Sequence, residues 1–167
     1  KDINLHVRSG NIDGAFARVS FDTKERVPFT CTMEDGCLSI LPIEPTPDTC
    51  AARLFRRAIL GLGVQNVTCT IILSNPNLEN VILNARSGNV SAEVLRLSGD
   101  LIVHSGSGNV KADTIVSRNC KLEAGSGSIK ANALRTGGNL TIESGSGSIK
   151  ASALSSNGKC CLSSGSG

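Results

Sequence analysis

The sequence predicts an all-β chain folded as a single-stranded, right-handed parallel β-helix of about 20 residues per rung. Three observations carry that expectation. Glycines recur at Gly88, Gly108, Gly127, Gly147 and Gly167, in steps of 20, 19, 20 and 20, each closing a Ser-Gly or Gly-Ser-Gly turn. Like residues fall into register behind them. Val90, Val110, Ile129 and Ile149 stand two after the glycine, Ala92, Ala112, Ala131 and Ala151 four after it, and Leu95, Ile115, Leu134 and Leu154 seven after it. Finally, 167 residues include 18 Gly but four Phe and no Trp or Tyr, which suits narrow stacked rungs filled by small and aliphatic side chains. A chain of this length makes about one domain with a real core.

The elements follow in order. Residues 1–47 form a less regular starting layer. Ile3, Leu5 and Arg8-Ser9-Gly10-Asn11-Ile12 match Val81, Leu83 and Arg86-Ser87-Gly88-Asn89-Val90, so the first residues read as a rung-like piece. Ala15 to Phe21, Phe29 to Met33, Cys37 to Leu41 and Val67 to Leu73 alternate as strands do. Residues 48–63, with the preceding Pro42, Pro45 and Pro47, insert a loop and a short amphipathic helix. Ala51, Leu54, Phe55, Ala58, Ile59 and Leu62 share one face of it, and Arg53, Arg56 and Arg57 the other. Such a helix covers the open end of a β-helix, and its basic face leaves membrane contact as an alternative. Residues 64–167 are the regular rungs. Their two-residue spacings are strand periodicity, and short strands of this kind bury a core only when stacked. Gly at the corners relieves a left-handed or otherwise unusual backbone. The leucine-rich-repeat pattern and the nine-residue calcium repeat are both missing.

The stretch Thr68-Cys69-Thr70-Ile71-Ile72-Leu73-Ser74-Asn75-Pro76-Asn77-Leu78-Glu79-Asn80-Val81-Ile82-Leu83, followed by S-G-N-V and S-G-S-G-N-V repeats, resembles the adhesin-type β-solenoid domains of unknown function common in bacterial envelope proteins. The likeness covers most of the chain and is clearest over residues 64–167. It implies a β-helical fold, no shared catalytic residues, and a surface role by analogy.

Chemistry-bearing residues are sparse. Cys120 and Cys160 share a ladder position with Leu101 and Leu140, so both are expected inside as small hydrophobes. They lie two rungs apart, about 9.6 Å by strand spacing, beyond disulfide reach. Cys161 faces outward. Cys31, Cys37, Cys50 and Cys69 belong to the starting layer, where Cys31 with Cys37 is one pairing to consider. No C-x-x-C occurs, and no zinc site is expected. His6 and His104 both stand four before a turn glycine. His104 falls in a column with Asn84, Glu123, Glu143 and Ser163, read as an exposed cross-rung pair rather than an acid/base or metal site. No Gly-x-Ser-x-Gly elbow accompanies the many serines. Sequons at Asn66, Asn89 and Asn139 match chance expectation.

Charge is uneven: residues 1–80 carry eight Lys/Arg against nine Asp/Glu, and residues 81–167 nine against five. Lys111, Lys130 and Lys150 repeat three after the glycine, with Arg118 and Arg135 nearby, a candidate ladder for an anionic ligand. Specific nucleic-acid reading is not expected without aromatics or a recognition element.

The combined expectation is a non-enzymatic adhesin-like or scaffold module of the cell envelope or surface, without cofactor or metal. Its partners would be proteins or envelope polymers. The chain begins at Lys1 with no leader to read and stops on a rung turn at Gly167, so continuation of the repeat or end-to-end self-association is expected there. The alternative is binding or processing of an anionic polysaccharide along the lysine ladder.

Overall fold

The computed structural model describes residues 3–10, 17–22, 29–34, 37–42, 67–74, 79–85 and 87–167. Two compact units divide the chain, Lys1–Asp22 with Asn66–Gly167, and Thr23–Gln65. The expected helix within 48–63, and Cys50, lie outside the described residues. Among those described, all regular structure is strand.

The larger unit is a parallel β-solenoid of about four turns. One sheet stacks β6 (Val81–Ala85), β8 (Leu101–Ser105), β10 (Cys120–Ala124), β12 (Leu140–Ser144) and β14 (Cys160–Ser164). The other holds β1 (Ile3–Gly10), β2 (Ala17–Asp22), β5 (Val67–Ser74), β7 (Val90–Arg96), β9 (Val110–Ser117), β11 (Ile129–Thr136) and β13 (Ile149–Ser156), in the order β13-β11-β9-β7-β1-β5-β2. All its neighbours pair in parallel except β2, which runs antiparallel to β5 and ends the parallel stack on that side.

The sequence ladders become true columns. Val90, Val110, Ile129 and Ile149 are hydrogen-bonded neighbours, as are Ala92, Ala112, Ala131 and Ala151. Leu95, Leu101, Ile115, Leu122, Ile129 and Leu134 are fully buried, each contributing about 1.5–3 kcal/mol. Within β9, Ala112 and Ile115 point inward while Asp113 and Thr114 between them both face out. The strand therefore turns a corner there, and one strand supplies two sides of the rung.

Polar side chains close the rungs at the turns. Asn4 Oδ1 accepts the Asn89 N–H at 3.0 Å, Asn89 Oδ1 the Asn109 N–H at 2.9 Å, and Asn109 Oδ1 the Ser128 N–H at 2.9 Å. A second ladder runs from Asn80 to the Asp100 N–H (2.8 Å), Asn119 to Asn139 (2.8 Å) and Asn139 to Lys159 (3.0 Å). Buried Ser105 donates to the Gly88 carbonyl at 3.0 Å and accepts from the Gly108 N–H at 3.1 Å. Ser144 repeats this with Gly127 and Gly147.

Strand β1 corrects the expected register. Leu5 pairs with Val90 and Val7 with Ala92, so β1 stacks on β7 rather than taking the place of β6. Asn4-Leu5 thus mimics Asn89-Val90. A period of two gives alternate burial in any column, and it cannot say which column a strand joins.

The turn glycines also have a different cause from the one expected. At Gly127 the backbone is not left-handed; a Cβ would lie 2.0 Å from the Gly108 carbonyl oxygen. Close approach of successive rungs excludes any side chain.

The smaller unit contains β3 (Phe29–Glu34) paired antiparallel with β4 (Cys37–Pro42). Cys31 is opposite Ile40 and Cys37 opposite Glu34. A three-residue offset along a hairpin is about 10 Å, which separates Cys31 from Cys37 beyond disulfide range.

Gly127→Ala is expected to lose about 3 kcal/mol or more, because backbone must move. Gly137, with nothing within 4 Å of a new Cβ, is expected to accept alanine within about 0.5 kcal/mol. Urea melts of the two variants check this.

Candidate functional site

Among the described residues the solenoid offers flat outer columns and open hollows, the larger of about 510 Å³ lined by Arg118 and Arg135, so each candidate is judged by its charge partners. Lys111, Lys130 and Lys150 are cross-strand neighbours on β9, β11 and β13, all exposed. The expected lysine ladder therefore exists, but its members differ. Lys111 Nζ lies 2.8 Å from Asp113 Oδ2. That bond raises the Lys111 pKa, and holds the Asp113 carboxyl below its ordinary value with added help from Asn132 and Lys130. Among the described residues Lys130 and Lys150 make no ion pair. Stacked like charges repel, and this pair has less compensation than the Lys111 rung.

The corner column explains the difference. Register and sequence place Asn132 and Ser152 where the earlier rungs carry Glu93 and Asp113. Past the corner, Arg135 is exposed between Val116 and Ser155. Arg118 is committed elsewhere: Nε reaches Asp100 Oδ1 at 3.0 Å and Nη2 reaches Oδ2 at 3.2 Å. This fork keeps Asp100 below the usual carboxylate range, and Asn119 Nδ2 adds a bond at 2.9 Å. A shallow trough of about 280 Å³ runs beside the corner across β9, β11 and β13, lined by residues 114–116, 133–135 and 153–155, Arg135 among them. Composition shows the lysine repeat, whereas the neutral corner and the freedom of Arg135 need the assembled rungs.

On the opposite sheet, Asn84, His104, Glu123, Glu143 and Ser163 form the expected column. His104 Nδ1 lies 3.5 Å from Glu123 Oε2, and Lys121 Nζ 2.7 Å from Glu123 Oε1. The Lys121 ammonium holds the Glu123 carboxyl below its ordinary value. His6 does not join this column. It pairs with Ser91 and so extends the lysine column. Among the described residues no group of three His, Cys, Asp or Glu is placed to hold a metal.

Cys69 and Cys120 are buried, and burial pushes the Cys120 thiol up to about 12. Cys160 shares the Cys120 column but, against the expectation of burial, is exposed, as no described strand covers β14. Cys161 is half-buried. Ile82 is 70% exposed beside Ile102, an apolar pair on the outer face of β6 and β8. No helix among the described residues is long and apolar enough to cross a membrane.

A family model described as Toastrack DUF4097 matches residues 1–167. No curated protein and no solved structure matches the chain.

Two outcomes follow from these environments. Asp100, Asp113 and Glu123 have pKa values lowered by folding. Their stabilisation is present above the ordinary carboxylate range and is lost as pH falls through the lowered values. Melting temperature should therefore drop on acidification, less steeply in Lys121→Ala and in high salt; a pH series of thermal melts reads this. In the folded 167-residue chain, iodoacetamide should label Cys160 and spare Cys120, with mass spectrometry of peptides before and after denaturation as the check.

Proposed function

The chain belongs to the Toastrack DUF4097 family, and from that premise we propose that it is a non-catalytic β-solenoid scaffold of the cell envelope or surface. Its role is to present fixed columns of side chains to protein or polymer partners, in the manner of an adhesin module. The observation that carries this reading is the outer surface itself. Columns such as His104, Glu123 and Glu143 lie flat at one-rung intervals, so groups are repeated along an axis rather than gathered around a reacting atom. Hydrolysis or transfer needs a positioned base, a nucleophile and water exclusion. The His104–Glu123 pair is half-exposed and has no enclosing wall.

A second reading, binding of an anionic polysaccharide along the Lys111–Lys130–Lys150 column, is favoured by the two unpaired lysines. Self-association fits the scaffold reading as well.

Surface biotinylation of intact source cells with a membrane-impermeant reagent tests the compartment. Strong labelling of the chain is expected, whereas labelling only after lysis removes the envelope role. Sedimentation velocity over a wide concentration range tests stacking: a rising mean mass is expected, and a constant monomer mass eliminates end-to-end assembly.

A further inference from the structure

We propose that the corner of the β11 and β13 rungs is a docking strip for a linear, carboxylate-bearing polysaccharide, held by Lys130, Lys150 and Arg135 and lying along the solenoid axis. This rests on the polymer-binding reading above and narrows it to one place and one ligand chemistry.

Charge supplies the first argument. The ion pairs of the described residues all lie in the rungs before residue 125: Lys111 with Asp113, Arg118 with Asp100, and Lys121 and His104 with Glu123. Residues 125–167 contain Lys130, Arg135, Lys150 and Lys159 against the single acid Glu143, which belongs to the other sheet. The outward charges of β11 and β13 are thus all cationic. Lys130 is stacked directly on Lys150. An arrangement that repels itself is relieved when an anion bridges both ammonium groups.

The corner between the cations supplies the second argument. Asn132, Ala133, Ser152 and Ala153 are small or neutral there, in place of the Glu93 and Asp113 of earlier rungs. Lysines approach from one side and Arg135 from the other, with the shallow trough over Ala133 and Ala153 between corner and guanidinium. Asn132 Nδ2 donates to Asp113 Oδ1, which leaves the Asn132 amide oxygen and the Ser152 hydroxyl for sugar hydroxyls, with the cations for carboxylates.

The remaining polyanions fit less well. No aromatic residue occurs after Phe55, so stacked bases have no platform here. The large apolar side chains along the strip, Val116, Leu134 and Leu154, are buried or half-buried, and the exposed apolar positions are alanines, which offer little to a lipid surface.

The full 167-residue chain would be titrated with polygalacturonate at low ionic strength, with neutral dextran as a control polymer. Binding that weakens with salt is expected. The Lys130→Gln/Lys150→Gln double variant should lose about tenfold in affinity and Arg135→Gln about threefold, while Lys111→Gln stays within about twofold. The melting temperature of the double variant should equal or exceed that of the parent, since repulsion is removed; this separates lost binding from lost folding. Equal losses from Lys111→Gln overturn the strip and leave general polymer binding intact. Binding of anionic lipid vesicles, without polygalacturonate binding, overturns the glycan assignment. No binding to polygalacturonate at low salt overturns both the strip and the polymer reading beneath it.

Discussion

Everything in the solenoid depends on the short distance at which one rung lies on the next. Parallel strands repeat at about 4.8 Å, so each residue sits against its own counterpart. Whatever occupies a column must tolerate itself as a neighbour. Aliphatic side chains do, and Val90, Val110 and Ile129 are all buried. Asparagine does, because its carbonyl oxygen accepts the next rung's N–H, as at Asn89, Asn109 and Asn139. Glycine is required where backbones nearly touch, as at Gly127. A bulky ring would have to repeat in a narrow interior, which accounts for the aromatic poverty of the rungs.

The same rule makes charge costly on the outside. The rungs before residue 125 answer it with local partners. Asp113 beside Lys111, Asp100 under Arg118 and Lys121 beside Glu123 each neutralise a column position within or across one rung. The following rungs keep the lysines and carry one acid, Glu143 on the other sheet. Neutralised and cationic rungs therefore follow one another along one axis. A repeat protein can do this because its rungs share a backbone while their outer residues vary separately.

Much of this was legible in the residues. The glycine step, the aliphatic columns and the Lys111–Lys130–Lys150 alignment needed no coordinates, because an in-register solenoid converts sequence spacing directly into spatial neighbourhood. The failures share a cause. The Arg-Ser-Gly-Asn turn aligns Leu5 with Leu83 in sequence, yet Leu5 pairs with Val90 and His6 with Ser91; away from the regular repeat, pattern fixes alternation and leaves the partner open. Cys160 shares a column with Cys120 but is exposed, since burial depends on what lies above a residue as well as on its direction.

The sequence by itself determined the fold class, the length of the rung and the columns, because a strict period together with inward alternation admits few packings. The tertiary structure decided which charges are spent. Asp113 turns back onto Lys111 and Arg118 closes on Asp100, while Lys130, Lys150 and Arg135 are left facing outward around a neutral corner. That choice depends on side-chain reach across a bend in the strand, a distance that no linear spacing encodes.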